Sequence, residues 1–171
     1  NFLIGNNPDA TGYYTPAAGV ELTGNEAEQS SQAYALGRQW LFSHPAEAVV
    51  LAGKKFFHLY HRDDSGILFS CVATQTPPPW ILAATAIVSG NAMYWIVLFL
   101  GISYLVRYRG SLTLNEYFLI FLWCCVTLAH LVYFGSHRFH MPLIPVWIGF
   151  AAAWMEGKLE YPPQLSKTGS V

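Results

Sequence analysis

The sequence predicts an all-α membrane protein, with an outer-face loop and amphipathic helices followed by three transmembrane helices. Two observations carry that reading. Only 11% of the residues are charged and 53% are hydrophobic, whereas an ordinary soluble domain is about one quarter charged. The deficit is also uneven: residues 75–135 carry only Arg107, Arg109 and Glu116 as charges, while residues 1–74 hold both signs throughout. The chain thus divides near Pro77-Pro78-Pro79 into a water-facing, non-cytoplasmic part (1–79), a membrane part (80–155) and a cytoplasmic tail (156–171). The net charge of -1, without a basic run, gives no footprint for nucleic acid.

Within the outer part, Asn6-Asn7-Pro8-Asp9 and Thr11-Gly12 are turn signals, so residues 1–23 are expected to be mostly loop with one short strand. A helix is expected over Glu26 to Trp40, with Ala27, Ala33, Tyr34, Leu36 and Trp40 along one side. Ser43-His44-Pro45 reads as a break and restart, with Ser43 capping the next helix. Val49, Val50, Ala52, Phe56, Phe57 and Tyr60 then recur at helical steps until Arg62-Asp63-Asp64-Ser65-Gly66 ends the pattern. Such an aromatic-rich amphipathic helix suits a membrane surface or neighbouring helices.

The first span, about 80–106, is free of ionisable residues, and about 20 apolar residues suffice to cross a bilayer. The second, about 117–135, is interrupted only by His130, expected to be a hydrogen-bonded interhelical residue. The third, about 139–155, has an apolar run from Met141 to Met155 that is short for a crossing and needs snorkelling flanks or a thinned bilayer. Pro142 and Pro145 fall in its first turns, where a missing donor matters least. Arg107 and Arg109 after span one, with Lys158 and Lys167 after span three, place both segments in the cytoplasm. The tail, with Pro162-Pro163 and small polar residues, reads as disordered. Cys71, Cys124 and Cys125 are too few for a disulfide framework. The sequence starts at Asn1 without Met and shows no signal-peptide pattern, and a segment upstream is expected.

Arg138, flanked by His137 and His140 at the outer mouth of spans two and three, is the main candidate for binding chemistry. Cations at a membrane boundary mark pathways for anions, and a guanidinium holds two phosphate oxygens at once. The bland alternative is a snorkelling arginine between interfacial histidines. No metal site or cofactor is expected: His58 and His61 with Asp63 or Asp64, or His137 with His140, could set two imidazoles on one helix face, but a catalytic zinc needs a third ligand and an open position that the sequence does not specify. Asp9, Glu21, Glu26, Glu28, Glu47, Asp63 and Asp64 are the acidic candidates, none in a catalytic pattern, with Asp9 expected to bond its own turn. Lys54 and Lys55 are expected at the polar, solvated edge of the second outer helix.

Three segments in order, Asn1-Phe2-Leu3-Ile4-Gly5-Asn6-Asn7-Pro8-Asp9-Ala10-Thr11-Gly12, then Trp40-Leu41-Phe42-Ser43-His44-Pro45 with Lys54, then Arg138-Phe139-His140-Met141-Pro142-Leu143-Ile144-Pro145, carry a family likeness. The chain resembles the C-terminal half of bacterial membrane glycosyltransferases (glycosyltransferase family 39-like) related to the protein O-mannosyltransferases and the aminoarabinose lipid A transferases. The resemblance implies a GT-C fold in the bacterial inner membrane. It also implies transfer of a sugar from a polyprenyl-phosphate carrier to a lipid, glycan or protein acceptor on the non-cytoplasmic face. It assigns Arg138 to the lipid phosphate, with His137 and His140 beside it, and sets Asn6, Asn7, Asp9 and Lys54 near the outer cavity. The family's catalytic carboxylate belongs to a first outer loop that would lie upstream, so no catalytic residue is expected among these. The competing reading is a non-catalytic membrane anchor or scaffold, in which Arg138 is freely replaceable.

Overall fold

The computed structural model describes residues 2–16, 19–73 and 78–157. Among these every regular element is helical: α1 (Phe2–Gly5), α2 (Glu26–Ser43), α3 (Pro45–Tyr60), α4 (Ser65–Ala73), α5 (Trp80–Tyr108), α6 (Leu114–Val132), a 3-10 segment η1 (His137–Leu143) and α7 (Ile144–Met155). The short strand expected before Thr23 is absent from the described residues, and α1 stands near its place. Asn7 explains why α1 can exist and stop. Its Nδ2 donates to the carbonyls of Leu3 and Ile4 at 2.8 and 3.1 Å, satisfying the acceptors that a helix end leaves open. Its Oδ1 accepts from the Asp9 amide at 2.9 Å. The turn-forming side chain is therefore Asn7, not Asp9, whose side chain is exposed.

Capping fixes the helix starts. Asn25 Oδ1 accepts from the Glu28 amide and Glu28 Oε2 from the Asn25 amide, a reciprocal box that opens α2. Thr113 and Glu116 repeat it at α6, moving that helix's start from the expected Tyr117 to Leu114. Ser43 does not cap α3: its hydroxyl bonds back to the Gln39 carbonyl at 2.8 Å inside α2, and α3 begins on Pro45, whose fixed φ suits a first turn. A further helix, α4, follows Asp64 where the sequence showed only the end of a pattern.

The residues that α2 and α3 bury are not the apolar sides marked in the sequence. Gly37 is the buried residue of α2, while Ala27, Tyr34 and Leu36 are exposed. In α3 the buried line is Leu51, Lys55, Leu59 and Tyr60, while Val49, Val50, Phe56 and Phe57 point outward. The rule that apolar residues face the core fails for a helix with two apolar faces.

α5 and α6 are long and apolar enough to cross a membrane, with only 11% and 6% of their apolar windows buried. A soluble core helix of such composition would be mostly covered, so these helices present apolar side chains outward, as a bilayer requires. α7 packs along α5, where Gly101 lets the Trp147 ring approach; an added Cβ would lie 2.8 Å from it. The packed centre comprises Leu98, Tyr104, Leu143, Val146, Trp147 and Phe150, continued by Leu59, Tyr60 and Tyr94. His130 stacks face to face on Phe139 at 4.5 Å. The residues after Gly157, including Lys158 and Lys167, and Pro77 of the dividing prolines lie outside the described residues.

Candidate functional site

Two of the segments that carry the family likeness, residues 2–12 and Trp40–Pro45 with Lys54, meet in space, and the first of them also bonds to Gly135, just before the third segment. The Gly135 amide donates to the Gly12 carbonyl at 2.9 Å. Gly12 adopts φ +91°, a conformation that favours glycine, and its missing Cβ leaves room for the backbone of Lys54 and Lys55. Trp40 and His44, stacked at 5.7 Å, share a cavity of about 570 Å³ with Asn7, Pro8, Glu47 and the exposed Lys54.

Asn6 and Asn7 are buried at 1% and 4% exposure; Asn7 borders the cavity, but its amide is taken up by the Leu3 and Ile4 carbonyls and the Asp9 amide. Asn6 Nδ2 donates to the carbonyls of Phe2 and Val132, both at 2.8 Å, and its Oδ1 accepts from Lys55 Nζ at 3.0 Å. Lys55 Nζ donates also to the Leu131 carbonyl at 3.0 Å. An ammonium and an amide thus close the C-terminal end of α6, where the helix dipole favours positive charge. Burial pushes the Lys55 ammonium down to about 8. The solvated edge expected for Lys55 holds only for its neighbour Lys54.

The predicted trio at the mouth does not converge on one point. Arg138 is exposed, with its guanidinium 5.1 Å from the Phe139 ring centroid, and no carboxylate pairs with it among the described residues. His140 turns inward, buried at 1%, with Nδ1 2.5 Å from the Leu59 carbonyl and Nε2 3.5 Å from Asp63 Oδ1. His137 takes a middle course, its Nε2 3.9 Å from Asp64 Oδ1 and its ring stacked on Tyr13 at 6.0 Å. Burial, then the nearby Arg62 charge, hold the His137 imidazolium below its ordinary range.

A cleft of about 650 Å³ brings Arg138 and His137 together with Tyr13, Tyr14, Ser65 and Met141. Two polar atoms of its lining, Ser65 Oγ and His137 Nδ1, are buried without a hydrogen-bond partner. The lining thus sets one cation, one imidazole and the hydroxyl-bearing Ser65, Ser136, Tyr13 and Tyr14 among apolar residues that include Leu68, Phe69 and Phe134. That set suits a bulky apolar ligand with an anionic head.

Behind the cleft lies a polar knot that the sequence held only as scattered acids. Arg62 grips Asp64 with two bonds of 2.6 Å, and Asn91 from α5 adds a third at 3.2 Å. Burial pushes the Asp64 carboxyl upward, but these donors outweigh it and hold the group below the usual carboxylate range. Asn91 also accepts from the Asp63 amide at 2.9 Å, so one α5 side chain orients the whole turn. Lys55 could have been noticed as a lysine within the Leu51-Lys55-Leu59 stripe. Asn91 in the middle of an apolar helix was the other available signal. Among the described residues no three His, Cys, Asp or Glu side chains are grouped to hold a metal ion. Comparison with family models, with curated proteins and with solved structures gave no match.

Proposed function

We propose that this chain is the C-terminal portion of a GT-C-type membrane glycosyltransferase that uses a polyprenyl-phosphate sugar, and that its Arg138 cleft receives the carrier's phosphate. The single observation that carries the reading is the exposed, carboxylate-free Arg138 at a large aromatic and apolar cleft, with His137 and Ser65 as further polar groups. The meeting of Gly12, Lys54 and Gly135, all from or beside the family-like segments, supports it further.

In that reaction the acceptor oxygen or nitrogen attacks the anomeric carbon, the bond to the carrier phosphate breaks, and the acceptor proton passes to a carboxylate. Arg138 would stabilise the charge gathering on the departing phosphate. His137 would donate to it only when suitably protonated, and Tyr13 and Tyr14 would pack against the prenyl chain. The catalytic carboxylate is assigned elsewhere in the enzyme by the family likeness.

The proposal includes three crossings, with α3 at the outer surface and the α5–α6 turn in the cytoplasm. The third crossing takes η1 from Phe139 onward together with the 12 residues of α7; at about 2.0 and 1.5 Å per residue these amount to about 28 Å. That is close to the roughly 30 Å of hydrocarbon in a bilayer, and offsets the shortness of α7 alone. The test is binding of a polyprenyl phosphate to the detergent-solubilised protein. Arg138→Ala should weaken it at least tenfold while Arg138→Lys keeps part of it. Undiminished binding by Arg138→Ala would leave the chain as an anchor or scaffold.

A further inference from the structure

Arg138 is not the only group on its cleft that can carry positive charge. His137 lines the same cleft, one residue earlier at the start of η1. Neighbours from three other segments hold its ring. Tyr13 of the N-terminal segment stacks on it at 6.0 Å, and His61 at the end of α3 stands edge-on at 5.9 Å. From the turn before α4, Asp64 Oδ1 lies 3.9 Å from Nε2. His140, on η1 itself, is turned away toward Asp63 and the Leu59 carbonyl.

Asp64 is already balanced before His137 takes a proton. Arg62 pairs with it through two bonds of 2.6 Å, and Asn91 adds a neutral donor at 3.2 Å. A proton on His137 is therefore a net gain of one positive charge on the cleft wall, and not the neutralisation of a free carboxylate. The chain alone disfavours that gain. Burial comes first, then the Arg62 charge, with His61 and His140 adding to them, and Asp64 offsets these only in part.

An anion beside Arg138 and His137 shifts the balance the other way. Coupling between two bound species is reciprocal, so the anion favours the imidazolium by as much as the imidazolium favours the anion. A guanidinium stays charged throughout and cannot respond, whereas an imidazole changes charge between about pH 5 and 8. His58, His61 and His140 do not line the cleft.

We propose that the cleft binds its anionic ligand together with one proton, and that the proton resides on His137. The proposal rests on the phosphate reading of the Arg138 cleft and adds a condition to it: the ligand meets one permanent charge and one gained on binding. Because the ligand raises the protonation of His137, affinity grows as pH falls through the titration of the bound form and levels off below that of the unbound form.

The test is isothermal titration calorimetry of the chain in detergent with hexadecyl methyl phosphate, a phosphodiester whose single charge does not titrate between pH 5.5 and 8. Affinity should rise at least fivefold from pH 8 to pH 5.5. At pH 6.5, binding enthalpies in buffers of different ionisation enthalpy should report net proton uptake. His137→Gln keeps a polar side chain but cannot be protonated; it should remove the slope and the uptake and retain the weaker affinity seen at pH 8. Thermal unfolding checks that the variant is folded, and His137→Asn serves if it is not. Arg138→Ala should weaken binding at both ends of the pH range. Binding that needs Arg138 but shows neither slope nor uptake, or uptake that survives a folded His137 variant, overturns this proposal and leaves the phosphate reading standing. Absence of binding at every pH overturns both.

Discussion

Lys55 Nζ and Asn6 Oδ1 meet at 3.0 Å across 49 residues of chain, both side chains buried and both turned toward the last carbonyls of α6. The pair fastens the N-terminal segment and α3 to one end of an apolar helix. Its cost and benefit are both electrostatic, and both are measurable.

Replacing Lys55 by Ala should lower stability by about 3 kcal/mol, through two buried acceptors left unpaired and the lost packing of the lysine stem. The pH dependence has a definite sign. The folded-state pKa of about 8 lies below the ordinary 10.5, so between these values the unfolded chain binds more protons. Stability should therefore rise with pH across that window. Thermal unfolding in detergent from pH 7.5 to 10.5 should show this rise, and Lys55→Met should flatten it.

Arg62→Ala should cost about 2 kcal/mol, because Asp64 remains buried while its main donor is lost; the part-exposed arginine keeps this below the full cost of breaking a buried pair. Asp64 has a depressed folded-state pKa. Its contribution is present above the unfolded carboxylate range near 4 and fades as pH falls through the lower folded value. Acid unfolding of Arg62→Ala should begin at higher pH than that of the parent, and coincident acid transitions would count against the pairing.

Gly135→Ala should be among the most damaging small substitutions. A Cβ there would overlap the Lys55 carbonyl, and backbone cannot swing aside as a side chain can. A loss of about 3 kcal/mol or more is expected from such overpacking, read as a lowered unfolding midpoint. Gly53→Ala, with nothing near its added Cβ, is the matched control and should be neutral or slightly stabilising.

Single cysteines at exposed Ser30 and Ser111, in a background lacking Cys71, Cys124 and Cys125, test the orientation. A membrane-impermeant thiol reagent applied to intact spheroplasts should label position 30 and spare position 111. Labelling of both or neither position would end the proposed topology.

The helices were legible where their signals are local. Sustained hydropathy marked α5 and α6 almost to their ends, with the missed first residues of α6 hidden in a Thr113–Glu116 cap that hydropathy does not register. The inner face of α3 was not legible, because Val49, Val50, Phe56 and Phe57 are as apolar as a core stripe yet face outward. Periodicity finds a face without saying what covers it. Arg138 was a candidate from the sequence, and its exposure came from the fold. Lys55, Asp64 and Asn91 acquire meaning only through partners 27 to 76 residues away, distances at which no sequence pattern operates.

The α5–α6 junction has a further consequence, for the order in which the chain is built. Glu116 accepts from the Tyr104 hydroxyl while also closing the cap on Thr113, so one carboxylate joins the end of one apolar helix to the beginning of the next. Every group in that clasp lies between residues 104 and 116, before η1 and α7. The helical hairpin can therefore latch as soon as its second arm emerges from the ribosome, and α7 arrives to a groove already shaped by Gly101 and Tyr104.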